Sequence, residues 1–196
     1  MATVPARRPL LRLGVRRHWA AVTVALGLGA LIAISFLLRT REFGAAYWID
    51  EGLSWGISSH HFFSIPHVLR QDGSPPLYYL MLHVWMKLFG TSEPATHALS
   101  LIPALLCIPV GYWTARSLFD ERAGWFAAVM FAFNSYLTMY AQETRMYSWM
   151  ALFALLATAC FLQAFVFRRR AYLVGFALSL AAMLYTHNWA VFFIAA

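Results

Sequence analysis

Two acidic residues, Asp50 and Glu51, stand side by side in a chain that is otherwise poor in acids. They lie in the run YWIDEG at residues 47–52, and the whole sequence of 196 residues has only eight Asp and Glu. Ionised carboxylates near a bilayer lose solvation energy and add nothing to an apolar core. Such groups take a proton from a hydroxyl or hold a metal ion. We therefore predict that Asp50 and Glu51 are catalytic. A divalent metal ion is an open alternative, with Asp50, Glu51 and His61 as its candidate ligands.

A second polar cluster is the run YAQETRMY at residues 140–147, which joins two apolar segments with almost no loop. On a helix, Glu143 and Tyr147 would be one turn apart, and so would Gln142 and Arg145. An arginine at this depth binds phosphate through a bidentate fork. A salt bridge between Glu143 and Arg145 that ends a helix pair fits the spacing equally well, so both interpretations stay open.

A third polar cluster, YTHNW at residues 185–189, interrupts the last apolar stretch around His187. A bend, a polar contact between helices and a ligand contact are all consistent with this pattern. The histidines of the region between the first two apolar segments, His60, His61 and His67, are either interfacial polar residues or metal ligands. Spacing alone does not supply the geometry that a metal site requires.

The composition identifies a membrane protein that is built from helices. The chain is 61% hydrophobic and 12% charged, whereas a soluble domain carries about 25% charged residues. We predict an all-α, polytopic transmembrane bundle of about five spans, with interfacial amphipathic helices in the first outer loop. The net charge is +7, but the basic residues flank apolar segments instead of lining one soluble face. Membrane lipids are therefore the expected partners, and nucleic acid is excluded.

The chain divides into four parts by hydropathy. These are a basic N-terminus at 1–18, a first span at 19–38, an outer loop at 39–97 and further spans at 98–196. The first span is uncharged and longer than the apolar region of a signal peptide, so we expect a permanent anchor. The predicted spans are Trp19–Leu38, Ala98–Ala115, Gly124–Tyr140, Met146–Phe167 and Tyr172–Ala196.

The segment Pro75–Phe89 is apolar but short for a span, and its placement decides the topology. If it crossed the membrane, Arg116 and the triple arginine at 168–170 would face outward, against the positive-inside rule. If it lies along or dips into the outer face, every basic cluster is cytoplasmic. We therefore predict a cytoplasmic N-terminus, with the acidic pair and the runs 140–147 and 185–189 together on the outer side.

The order of these motifs resembles a known family. An acidic pair after the first span, PPLYY at 75–79 and YAQETRMY at 140–147 resemble the N-terminal half of the GT-C membrane glycosyltransferases. The resemblance is greatest to the bacterial branch related to protein O-mannosyltransferases and aminoarabinose transferases. Two positions depart from the family pattern. His97 stands where many relatives have an arginine, and the run 140–147 lacks the aspartate that ends this motif in many relatives.

The resemblance implies a polyprenyl-phosphate sugar as donor and transfer at the outer face of a bacterial plasma membrane. It implies Asp50 as the catalytic base, with Glu51 beside it. It also places Arg145 and its neighbours near the donor, and the predicted topology adds His187 to the same face. The resulting candidates for donor or substrate binding are Arg145, Glu143, Gln142, Tyr147 and His187.

The C-terminal end of the sequence helps to predict whether this chain forms a whole protein. The chain stops at Ala195-Ala196 within an apolar run, and members of the family have more spans. We therefore expect a C-terminal half or a partner subunit to complete the protein. A non-catalytic membrane protein, an inactive fragment of such an enzyme and a transporter component are the alternatives. A transporter predicts charges near mid-span and paired broken helices, whereas the charges here collect at the surfaces.

Overall fold

The computed structural model describes the backbone of residues 10–195 and the side chains of Trp19 and residues 21–195. Within these residues, every regular element is a helix, which confirms the predicted all-α class. The α-helices are α1 (Leu10–Arg39), α2 (Ile49–Ser58), α3 (Ile65–Asp72), α4 (Leu77–Phe89), α5 (Glu93–Leu118), α6 (Glu121–Ala132), α7 (Ser135–Tyr140), α8 (Tyr147–Phe161), α9 (Tyr172–Thr186) and α10 (Ala190–Ala195). A 3₁₀ turn (Phe62–Ser64) precedes α3, and a π turn (Leu162–Val166) extends α8.

Three of the described helical segments are long and apolar enough to cross a membrane. They are Ala21–Arg39, Glu93–Leu118 and Tyr147–Val166, with 19, 26 and 20 residues. At about 1.5 Å per residue they span roughly 29, 39 and 30 Å, and the hydrocarbon core is about 30 Å thick. The predicted helical membrane bundle is therefore confirmed.

The predicted span Gly124–Tyr140 consists of two shorter helices in series, α6 and α7. Between them, Asn134 adopts an extended backbone, and its side chain accepts a hydrogen bond of 2.9 Å from the Leu137 amide. Asparagine favours this N-cap geometry over the helix interior. The predicted span Tyr172–Ala196 is also interrupted, because α9 ends at Thr186 and α10 begins at Ala190. Hydropathy predicted each segment as one span, but it does not reveal the local breaks that divide each segment into two helices.

Arg39 compensates for the break between α6 and α7. It is the last residue of α1, and its side chain is fully buried. Its two terminal nitrogens donate to the carbonyls of Ala104, at 2.6 Å, and Phe131, at 2.7 Å. Phe131 lies in the last turn of α6, where carbonyls lack partners within the helix and a cation is favoured. Arg39 thus ties the end of α1 to α5 and α6.

Helix α5 carries two internal prolines, and one of them helps to hold α8. Pro103 has no amide hydrogen, so the carbonyl of Leu99 loses its usual partner within the helix. The indole nitrogen of Trp149 in α8 donates to this carbonyl at 3.0 Å. Gly111 lets the α6 residue Phe131 lie against the α5 backbone, because a Cβ there would overlap the Phe131 ring. These contacts fix α6 and α8 on α5.

The region between α1 and α5 is folded against one end of this bundle. Ile65 and Leu69 of α3 and Tyr78 and Leu82 of α4 form a core with residues of α2, Leu99 of α5 and Met146 just before α8. Burying each of these large side chains contributes roughly 1.5–3 kcal/mol. This packing brings α2, which carries the acidic pair, to the first turns of α5 and α8.

Candidate functional site

Glu51 lies at the centre of the polar residues at this end of the bundle and is only 3% exposed. Its Oε1 accepts a hydrogen bond of 2.6 Å from the Thr144 amide and lies 2.8 Å from Nε2 of His97. Its Oε2 accepts from the Trp48 amide at 3.2 Å. Both oxygens of the Glu51 carboxylate are therefore occupied by the protein itself.

The histidine partner of Glu51 is held through both of its ring nitrogens. Nδ1 of His97 lies 2.9 Å from the carbonyl oxygen of Phe43, which can only accept a hydrogen bond. Burial alone would raise the pKa of Glu51. The hydrogen bonds from His97, Thr144 and Trp48 outweigh this effect and hold the pKa of Glu51 below its ordinary value. His97 is thereby fixed between the Glu51 carboxylate and the Phe43 carbonyl.

The pair of Glu51 and His97 joins three parts of the chain. Glu51 lies in the first turn of α2, His97 lies in α5, and Thr144 lies in the turn before α8. Thr144 also donates from its hydroxyl to the hydroxyl of Thr96 at 2.8 Å. His97 was noted in the sequence only as a departure from a family pattern. One feature of the sequence could have indicated this role. His97 lies near the start of an apolar helix, where a histidine can serve as the partner of a buried acid.

Asp50 has a different environment from Glu51, although the two residues are adjacent. Its side chain is 43% exposed, and its Oδ2 lies 3.7 Å from Nη2 of Arg145. A charge-assisted hydrogen bond measures about 2.7–2.9 Å, so this ion pair is loose. Among the residues that the structure describes, the two ion pairs are Glu51 with His97 and Asp50 with Arg145.

Arg145 is held in place mainly by α2. Its Nη1 donates to the Asp50 carbonyl and to the Ser54 hydroxyl, both at 3.2 Å. Its Nη2 donates to the Tyr147 hydroxyl at 3.4 Å, and the guanidinium lies 5.5 Å from the centre of the Tyr147 ring. The Arg145 side chain is 12% exposed. A cation is thereby positioned directly in front of the Asp50 carboxylate.

The run 140–147 forms a turn between α7 and α8, so the helical spacing expected for its residues does not apply. Instead, the Arg145 amide donates to the Glu143 carbonyl at 2.8 Å. The alternative salt bridge between Glu143 and Arg145 is not formed, because the ion-pair partner of Arg145 is Asp50. Gln142 lies toward α1, where its side-chain oxygen accepts from the Glu42 amide at 2.8 Å.

Glu143 carries a partly buried carboxyl group, and its Oε2 has no hydrogen-bond partner among the described residues. Burial raises the pKa of Glu143 above its ordinary value, and the negative charge of Glu51 raises it further. An unpaired buried polar atom costs about 1–3 kcal/mol, and an ionised one costs more. The charged form of Glu143 is therefore less favourable here than in water.

A row of aromatic rings leads away from Arg145. The distances between ring centres are 4.5 Å from Tyr136 to Tyr140, 4.4 Å from Tyr140 to Tyr147 and 5.6 Å from Tyr147 to His187. Trp189 continues the row at 5.7 Å from His187. The predicted residues Tyr147 and His187 are thus brought together. Tyr136, Tyr140 and Trp189 were not predicted, because their contacts depend on how α7 and α9 pack.

The predicted metal ligands are not grouped. His61 lies beyond the opposite end of α2 from Asp50, is exposed, and packs beside the Phe63 ring. Within residues 10–195, no group of three or more His, Cys, Asp or Glu side chains is placed to hold a metal ion. The described site is organised instead by acids, a histidine and an arginine.

The fold and the site define a class of protein: a helical membrane bundle with a paired acid and arginine at one end, as expected of GT-C membrane glycosyltransferases. The comparison with protein families supports this class. The sequence model of the dolichyl-phosphate-mannose-protein mannosyltransferase family matches residues 73–196. Because this match covers more than half of the chain, the chain belongs to that family and represents the N-terminal part of a GT-C enzyme. The match includes Arg145 and His187 but begins after Asp50. No curated protein and no solved structure matches the chain.

Proposed function

We propose that this protein transfers a sugar from a polyprenyl-phosphate donor to an acceptor hydroxyl, with Asp50 as the catalytic base. The observation that carries the proposal is the different placement of two adjacent acids. Glu51 is buried, and its oxygens are occupied by His97, Thr144 and Trp48. Asp50 is accessible and lies next to a cation. Only Asp50 is available to a substrate, so Glu51 is a positioning residue.

In the proposed reaction, the donor phosphate first binds Arg145. Arg145 forms bidentate contacts with phosphate more readily than a single loose contact with Asp50. Opening the 3.7 Å ion pair frees the Asp50 carboxylate. A carboxylate that has lost its neighbouring cation accepts a proton more readily.

The chemical step follows from this arrangement. The acceptor hydroxyl gives its proton to Asp50 while its oxygen attacks the anomeric carbon of the sugar. The bond between that carbon and the phosphate oxygen breaks, and the electron pair leaves with the polyprenyl phosphate. Attack opposite the leaving group inverts the anomeric configuration. The leaving phosphate is already a stable anion, so the reaction needs no general acid, in contrast to glycoside hydrolysis. Arg145 stabilises the charge that develops on the phosphate.

The proposed location is a bacterial plasma membrane, with a cytoplasmic N-terminus and the site on the outer face. Two structural facts support the proposal that the site and the basic clusters face opposite sides of the membrane. Asp50, Arg145 and His187 lie together at the end of the bundle where α5 and α8 begin. Arg116 and the triple arginine at 168–170 lie at the end where these helical segments finish. A C-terminal half or partner subunit would supply the rest of the donor site.

Asp50→Asn in the membrane-embedded enzyme tests the proposal. We expect the rate of sugar transfer from a mannosyl-phosphoryl polyprenol to fall by about 10²–10⁴-fold, which is the usual contribution of a general base. Asp72→Asn is the matched control, because Asp72 is an exposed acid at the end of α3 in the same outer region. Transfer near the wild-type rate in Asp50→Asn would reject Asp50 as the base, whereas absence of transfer by the wild type itself would favour a non-catalytic or transport role.

A further inference from the structure

The end of the bundle opposite the candidate site carries three successive arginines, Arg168, Arg169 and Arg170. They connect the π turn Leu162–Val166 to α9. Among the described non-glycine residues, Arg168 alone has a positive φ, of 56°. This left-handed backbone is uncommon for a residue with a side chain. The proposed transfer reaction does not use these arginines.

The middle arginine is turned toward the bundle and held there. Nη1 of Arg169 donates to the side-chain oxygen of Gln163 at 3.0 Å, and the Arg169 amide donates to the Gln163 carbonyl at 2.9 Å. Gln163 is itself only 1% exposed and donates to the Ser117 hydroxyl of α5 at 2.8 Å. Arg169 is therefore fixed to the bundle by Gln163, although its side chain is exposed.

The two outer arginines line a pocket. Its volume is about 330 Å³, and its wall is formed by Ala164, Phe165 and Leu173 together with Arg168 and Arg170. Within the described part of the chain, neither the Arg168 nor the Arg170 side chain has a hydrogen bond or an ion pair. The pocket therefore combines an apolar wall with two guanidinium groups that have no acidic partner in the described structure.

A general preference for arginine at one membrane face explains why basic residues collect here. It does not explain why Arg169 is bonded to Gln163 while Arg168 adopts a left-handed backbone. Together these two features bring Arg168 and Arg170 to one pocket. Arginine forks match phosphate oxygens, and basic pockets between membrane helices bind anionic head groups. The apolar wall suits a phosphate that carries a hydrocarbon chain.

We propose that this pocket binds the phosphate of an anionic phospholipid, with Arg168 and Arg170 as its ligands and Phe165 and Leu173 against the start of an acyl chain. The inference does not depend on the proposed glycosyl transfer. Failure of the Asp50→Asn test would leave it unaffected, and its own failure would leave the transfer reaction unaffected.

Lipid binding to the detergent-purified protein tests this proposal. Native mass spectrometry would measure binding of phosphatidylglycerol and phosphatidylcholine to the wild type, Arg168→Gln, Arg170→Gln and Arg122→Gln. Arg122 is the matched control, because it is an exposed arginine at the same end, in the first turn of α6, and it does not line the pocket. We expect the wild type to prefer phosphatidylglycerol. Each pocket variant should bind it about fivefold more weakly, and Arg122→Gln should bind it as the wild type does.

Three results would overturn the proposal. Equal losses in all three variants would indicate diffuse charge attraction, and equal binding of both lipids would remove the specificity for an anionic head group. Saturable binding of glycerol 3-phosphate with the same affinity as the lipid would indicate a free-phosphate site instead of a lipid site. If Arg168→Gln unfolds because of its special backbone, Arg170→Gln and the comparison of lipids decide the question by themselves.

Discussion

The two polar ends of this bundle are built by the same two helical segments but from different chemistry. At the end where α5 and α8 begin, the acids Asp50 and Glu51 meet Arg145 and His97. At the end where these segments finish, Gln163 joins Ser117 and Arg169. The first end pairs its acids with basic side chains. The second end leaves two arginines without an acidic partner, and they are available to an external anion.

Within the first end, the two adjacent acids also differ. Glu51 fixes the geometry of the site, whereas Asp50 remains accessible. Glu51 connects α2 to α5 and to the turn before α8 through His97 and the Thr144 amide. Asp50 contacts Arg145 only loosely, at 3.7 Å. Adjacent residues on a helix point in different directions, so one position can be structural while the next remains accessible to a substrate.

Glu51→Gln should produce the largest effect on stability. It removes the carboxylate from a buried pair with His97, and breaking a buried pair by removing one partner costs about 3–5 kcal/mol. We expect a marked fall in Tm of the detergent-solubilised protein. Asp50→Asn is the comparison, and it should change stability by less than about 1 kcal/mol because its pair is exposed. If the two variants lowered Tm equally, the distinction between a structural and an open acid would be wrong.

Arg145→Ala should weaken donor binding by about tenfold or more, because a charged hydrogen bond contributes about 1.5–3 kcal/mol. Arg145→Lys keeps the charge but loses the fork, so its affinity should be intermediate. Binding of a short-chain polyprenyl phosphate, measured by calorimetry, checks both variants. Arg122→Gln at the opposite end is the charge control, because Arg122 is exposed and lines neither site, and it should bind this ligand normally. Unchanged affinity in Arg145→Ala would contradict its phosphate role.

Gln163→Ala tests the end of the bundle where α5 and the α8 segment finish. It should lower the free energy of unfolding by about 1 kcal/mol, which is well below the effect of Glu51→Gln. It removes the hydrogen bonds to Ser117 and Arg169, but Arg169 is exposed and can be solvated by water. Thermal unfolding measures the difference. A loss as large as that of Glu51→Gln would show that the two ends are equally important for stability.

Glu143 should give the smallest effect, visible only as a dependence on pH. Burial and the charge of Glu51 raise the pKa of Glu143 above its ordinary value, so the folded state binds its proton more tightly than the unfolded state does. Wild-type stability should therefore fall, relative to Glu143→Gln, as the pH rises above about 4.5 and through the raised pKa. We expect a difference of about 2 °C in Tm. An identical pH profile for both proteins would show that Glu143 is not perturbed.

Much of this architecture follows from local sequence properties. Hydropathy indicated the helical bundle and the three helical segments long enough to cross a membrane, since apolar runs of this length need no tertiary information. The positions of charges suggested that Asp50, Arg145 and His187 share one end. The structure brings these three residues into one region, with Arg145 beside Asp50 and Tyr147 between Arg145 and His187.

Other features depend on contacts between distant residues, and no periodic pattern encodes them. His97 becomes the partner of Glu51 only because the core of α2, α3 and α4 packs on α5. Arg39 is the first residue of the predicted outer loop, yet its side chain is buried against the end of α6. The break at Asn134 lies in an apolar run, where a single capping side chain outweighs the surrounding hydropathy.

The hydrogen bond between Glu51 and the Thr144 amide has a consequence for the synthesis of the chain, because 93 residues separate the two partners. At a translation rate of about 5–20 residues per second, Glu51 leaves the ribosome roughly 5–20 s before Thr144. During that interval the carboxylate lacks this partner, although Trp48 and His97 are synthesised before Thr144. The full set of contacts around Glu51 therefore forms only after the turn before α8 has been synthesised.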